Sequence, residues 1–161
     1  MLHCTMENIE AKKKFLKEEY AKRLSALDPN AERRWGKMNV QQMIEHMSDY
    51  VRIANGRTPM NIMTPEENLP KMQAFLASEK PFKEHTPNSL MPDMPADIRH
   101  SNTKDAIAAL QSELDHLFGV FANDNKKTIA NPFFGDLDFD MQVQLLHKHA
   151  WHHLRQFGVG E

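Results

Sequence analysis

Four of the nine histidines fall close together, at His147, His149, His152 and His153. On a helix, positions four apart stand about 40° apart in rotation and about 6 Å apart along the axis. His149 and His153 therefore project from one face, one turn apart. At that spacing two imidazoles can hold one metal ion. A site of the open, catalytic type takes a third protein ligand. His46 is the best candidate, within one turn of Met43 and Tyr50 at the border of an apolar stripe. An ion held by three imidazoles keeps positions open. It would lower the pKa of a bound water or thiol, or polarise a carbonyl. His147 and His152 fall on the flanks, away from the shared focus.

Plainer origins compete with this one. Protonated His suits the negative C-terminal end of a helix dipole, and a lone His beside an apolar stripe is often a hydrogen-bonded core residue. No Glu follows His149, so the His-Glu-x-x-His protease pattern is absent. Gln156 lies one turn beyond His153, where it either orients a ligand imidazole or faces solvent. Glu113-x-x-His116 is half of a di-iron pattern that needs a second such unit and two more carboxylates. Its phase, off the apolar stripe of its helix, reads as a solvated face. Cys4 sits near the chain start with no assured base and reads as incidental.

Four segments carry the helical period that would position these groups. The first runs from about Glu7 to Leu27, with Ile9, Leu16, Tyr20, Leu24 and Leu27 as its stripe, and Asp28-Pro29 ends it. Its other face, with Lys12, Lys13, Lys17 and Glu18, reads as solvated. The second starts at Asn39, an N-cap with Gln42 to complete a capping box. Its stripe is Val40, Met43, Ile44, Met47, Val51 and Ala54, and Asn55-Gly56 closes it. The third spans Thr103, a plausible cap, to Ala122. The fourth spans Asp138 to Gly158 on Phe139, Val143, Leu146, Ala150, Leu154 and Phe157. Between the second and third lies Pro59–Pro95, with seven of the nine prolines and a short helix expected over Pro65–Ser78. A connection that long is a functional loop or a crossover. It is expected to cross near the histidines and to give side chains such as Phe75 or Phe82 to one wall of their pocket. No strand is expected. The pattern is that of an all-α four-helix bundle in which a long Pro-rich crossover leaves two consecutive helices parallel.

The chain has 161 residues, which fits one domain, here taken as 1–161. A single Cys rules out a disulfide framework and fits a reducing, cytoplasmic setting. A net charge of −2 argues against a nucleic-acid partner, and the short apolar runs argue against a membrane span.

Trp35-Gly36-Lys37-Met38-Asn39-Val40-Gln41-Gln42-Met43-Ile44-Glu45-His46 resembles the start of the second helix in a family of unknown function within the DinB/YfiT-like superfamily. Asn131-Pro132-Phe133-Phe134-Gly135, followed by Lys148-His149-Ala150-Trp151-His152-His153-Leu154-Arg155-Gln156-Phe157-Gly158, is similar to that family's C-terminal signature. The resemblance implies a four-helix bundle with a long second-to-third connection. It also implies a divalent ion, zinc or nickel, on the positions of His46, His149 and His153. Some members are thiol-dependent transferases or isomerases, others are described as metal-dependent hydrolases, and homodimers are common. The resemblance thus implies a small-molecule substrate, and in some members a low-molecular-weight thiol. Asn131 departs from the family pattern, which has His there; an Asn can replace a hydrogen bond but is a poor metal ligand. The other class of function is a non-catalytic bundle that binds a partner or dimerises, its histidines structural or vestigial.

Overall fold

The structure, a computed structural model, describes residues 6–84 and 95–160. Its first long helix is α1 (Ile9–Lys14), a π-helical turn (Phe15–Glu19) and α2 (Tyr20–Ala26) in unbroken succession. The wider π turn lets adjacent Phe15 and Leu16 both reach the core, beside Tyr20 and Leu24. It accompanies a correction to the expected solvated face. Lys12 is buried, its ammonium bonded to Glu79 Oε1 at 2.5 Å and Gln144 Oε1 at 2.8 Å.

Helix α3 (Val40–Ala54) opens with the reciprocal box that Asn39 and Gln42 promise. Gln42 N donates to Asn39 Oδ1 at 2.8 Å, and Asn39 N to Gln42 Oε1 at 2.9 Å. Gly56, at φ 84°, takes the left-handed turn past its end. The crossover's short helix is α4 (Leu69–Ala77), led in by a 3-10 turn at Glu66–Asn68. It is shorter than Pro65–Ser78 because both those residues have extended backbone. Helix α5 (Thr103–Ala122) is capped by Asn102, whose Oδ1 accepts from Asp105 N at 2.8 Å, so the cap is one residue before Thr103. Helix α6 (Phe139–Gln156) is capped by Asp138, which accepts from Met141 N at 2.9 Å.

The expectation of no strand is the second to be corrected. Strands β1 (Ile129–Asn131) and β2 (Gly135–Leu137) pair antiparallel, with Asn131 opposite Gly135. At three residues each they are too short to show alternation in the sequence.

The fold is mostly helical. Its main core draws Leu16, Tyr20 and Leu24 together with the stripes of α3, α5 and α6. A smaller cluster of Leu76, Phe134, Leu137 and Leu145 seats α4 and the hairpin on α6. Helices α3 and α5 run parallel: Glu45 meets Arg99 just before α5, and Asn55 meets Glu113 well inside it. Glu113, expected on a solvated face, pairs instead with Arg52 at 3.0 Å and Arg57 at 3.1 Å. It therefore belongs to the α3–α5 seam and not to a metal unit. Among the described residues, no helix is long and apolar enough to cross a membrane.

Candidate metal centre

The chain just before α3 meets the end of α6, where Arg34 N donates to Gln156 O at 2.7 Å. The two helices are thus antiparallel there. The middle of α3 faces the last turns of α6. That pairing brings His46, His149 and His153 together. Their Nε2 atoms lie 3.2 Å apart between His46 and His149, and 2.9 Å apart between His149 and His153. One ring nitrogen from each lies within 4.8 Å of the others. Zn–N bonds of about 2.0–2.1 Å place two nitrogens of a tetrahedral ion about 3.3 Å apart, so the spacing suits such an ion. Three imidazole donors are a set that zinc and nickel both accept.

Burial keeps these rings neutral. It pushes His46 down to about 4, with the nearby His152 adding to the shift. His149 and His153 are held well below the usual histidine range by burial first and by their neighbouring imidazoles second. A neutral imidazole is the form that ligates, so no proton need leave at neutral pH.

The tautomer of His153 follows from a hydrogen-bond chain. Gln156 Nε2 donates to Trp35 O at 2.9 Å, which orients its amide. Gln156 Oε1 must then accept from His153 Nδ1 at 2.8 Å. With that proton on Nδ1, the Nε2 lone pair faces the cluster. Gln156 itself is buried, so its solvent-facing alternative does not hold. Gly36 makes room for the amide. It has φ 78°, and a Cβ there would lie 2.7 Å from Gln156 Nε2.

Tyr50 packs its ring 4.8 Å, centroid to centroid, from both His46 and His149. It also lines a cavity of about 380 Å³ that opens beside His46. Glu45, Asp49 and Arg99 form a charged edge of this cavity and Met38, Ile53 and Met60 an apolar one. Residues 95–100 are strapped over it. Glu45 Oε1 accepts from Arg99 N at 2.6 Å and Nε at 3.2 Å, and Asp49 takes Arg99 Nη1 at 2.8 Å. No motif marks Glu45 or Arg99 as part of this wall; only the folded crossover pairs them.

Phe82 stands 6.0 Å from His149 and 5.9 Å from His152, so the crossover does reach the cluster. Phe75 stands behind it, 5.7 Å from Phe82. The crossover's residues 85–94 and Cys4 lie outside the described residues. His152 is nearer the centre than its phase suggests, 5.0 Å from the His153 ring and packed on Trp35. It is not one of the three converging donors. His147 sits edge-on to Phe15 at 5.3 Å, away from them. Asn131 Oδ1 accepts from Phe133 N at 2.9 Å and Phe134 N at 3.1 Å. Its side chain closes the hairpin turn and does not line the cavity beside His46.

Residues 17–157 match the family model of the DinB superfamily. The chain belongs to the DinB superfamily. No curated protein and no solved structure matches it. The DinB-superfamily match takes in all three histidines and Gln156, while α1 lies outside it. The three-histidine group of this DinB-superfamily chain can hold a metal ion.

Proposed function

We propose that this DinB-superfamily protein is a metal-dependent enzyme acting on a small molecule. It is one domain, a four-helix bundle with a long crossover, and His46, His149 and His153 hold a divalent ion, zinc or nickel. The observation that carries this reading is the convergence of three neutral imidazole nitrogens, from buried His153 and from largely buried His46 and His149, beside a cavity of about 380 Å³. That volume lies within the range of small-molecule sites. The ion, when bound, supplies Lewis acidity to a water, a thiol or a carbonyl. The chain's own residues do the rest. Gln156 fixes the His153 tautomer. Phe82 and Tyr50 shield the imidazoles from bulk water. Arg99, paired with Glu45 and Asp49 and next to Asp97, gives the cavity a charged edge for a polar group of the substrate. Hydrolysis and transfer of a low-molecular-weight thiol are the two chemistries that the family resemblance supports. It also supports a homodimer, and the lone cysteine supports a cytoplasmic setting.

The test is metal content by mass spectrometry, on protein purified without a His-tag and without added metal. About one ion per chain is expected. His46→Ala, His149→Ala and His153→Ala should each abolish tight binding, since each removes a metal–nitrogen bond that the other two cannot replace. His147→Ala and His152→Ala should retain the ion. A site that stays empty when titrated with zinc and nickel would overturn the proposal and leave a non-catalytic bundle with structural histidines.

A further inference from the structure

A second cavity, of about 480 Å³, lies against the opposite side of α6. Gln144, His147, Lys148, Trp151 and Arg155 border it. At 100° per residue, Trp151 stands about 160° around the helix from His149 and from His153. The cavity therefore shares a helix with the histidine cluster but not a face of it.

Its floor is aromatic. Phe15, from the π turn, stacks on Trp151 with centroids 5.4 Å apart and planes 25° apart. The Arg23 guanidinium sits 5.7 Å from the Phe15 ring and 5.2 Å from Trp151. Among the described residues, Arg23 makes no hydrogen bond and no ion pair, so its in-plane N–H groups keep their fork for a ligand.

Its wall holds two buried ammonium groups. Lys12 is 6% exposed and Lys148 is 8% exposed. Lys12 Nζ bonds Glu79 Oε1 and Gln144 Oε1. Lys148 Nζ bonds Ser78 O at 2.8 Å and also Lys80 O. Lys148 Nζ also rests 4.7 Å from the centre of the Phe75 ring, which takes its third side. An ammonium carries three donors, so Lys12, with two acceptors, keeps one N–H without a protein acceptor among the described residues. A buried donor left unmade is costly. The one carboxylate in direct contact, Glu79, balances one of the two positive charges. The other acid lining the cavity, Glu19, is exposed and screened by solvent.

We propose that this cavity binds a small monoanion with a planar apolar body, the chemistry of an aromatic carboxylate. The carboxylate takes the spare N–H of Lys12 and the fork of Arg23, and its charge balances the second buried ammonium, that of Lys148. The ring packs on the Phe15–Trp151 floor. Nothing in this site depends on the metal.

Benzoate is the probe, titrated into the protein as purified, with benzyl alcohol as its neutral counterpart. The readout is the indole N–H resonances of Trp151 and Trp35 by two-dimensional NMR. A saturable shift at Trp151, with Trp35 unmoved and benzyl alcohol without effect, is expected. Arg23→Ala is an exposed change that leaves the fold intact, and it should weaken benzoate roughly tenfold, the scale of a lost charge-assisted hydrogen bond. Glu79→Gln keeps the hydrogen-bond acceptor for Lys12 but removes the competing charge, and should tighten benzoate. No saturable shift at Trp151, equal binding of benzyl alcohol, or unchanged affinity in Arg23→Ala would each overturn the proposal.

Discussion

Gln156 carries more of the candidate site than any residue outside the three histidines. Its two polar atoms join Trp35 O to His153 Nδ1. Removing such an outer partner typically costs 10- to 100-fold in metal affinity. Gln156→Leu should therefore weaken zinc by about that factor in a competition titration against a chromophoric chelator. Gln156→Glu keeps an acceptor for His153 and should lose less. Affinity in Gln156→Leu equal to the parent's would show that the amide positions nothing. The His149–His153 pair was legible because imidazoles four apart announce their own geometry, whereas His46 was only a candidate at the border of the α3 stripe. Lys12, Glu45 and Glu113 were not legible. A charged side chain reads as solvated from sequence, and here each is buried or half-buried against a partner far along the chain. Only tertiary pairing decides that.

At the scale of elements, the strap of residues 95–100 is the one most open to test. Arg99 N donates to Glu45 Oε1 from the segment just ahead of α5. Glu45→Gln removes the negative charge that holds both this N–H and the Arg99 guanidinium. The amide of Arg99 should then exchange with deuterium at least about tenfold faster, the effect of a lost hydrogen bond to a charged group. The amides of α5 should be unchanged. If Arg99 exchange stays slow in Glu45→Gln, the carboxylate is not what closes the wall. The long elements were legible for a simple reason. The stripes of α3, α5 and α6 hold a 3.6-residue period, and Asn39, Gly56 and Asp138 mark their ends. The π turn and the hairpin left no such trace. One adds a residue within a helix, which shifts the phase without breaking the pattern, and the other is too short for a period.

For the whole molecule, the buried histidines make folding sensitive to acid. In the fold His46 and His147 are depressed to about 4, and His149 and His153 lie well below the usual range. The unfolded chain takes up these protons near pH 6.5, while the fold refuses them. Above that pH both states are neutral and stability is level. As pH falls through 6.5 toward about 4, the unfolded state binds more protons and stability drops. Each fully buried histidine contributes about 1.4 kcal/mol per pH unit in that window. Metal-free protein should show urea midpoints that fall steeply from pH 6.5 to 5 and hold level from 7 to 8. A midpoint unchanged at pH 5 would contradict the burial. A bound ion should raise the thermal midpoint at pH 7.5, and that gain should vanish in acid as protons displace it.

The hydrogen-bond chain behind His153 ends on a backbone carbonyl, and that gives residues 35 and 36 opposite tolerances. The acceptor at Trp35 is main chain, so exchanging its side chain for another large apolar group leaves that acceptor in place. Its neighbour has no such freedom. Any side chain at Gly36 begins 2.7 Å from the Gln156 amide and from a backbone with φ 78°. In a library of single variants sorted by zinc retention, Trp35→Phe should survive and Gly36→Ala should drop out. Chain positions that never touch the ion would then differ in selection by the presence of one methyl group.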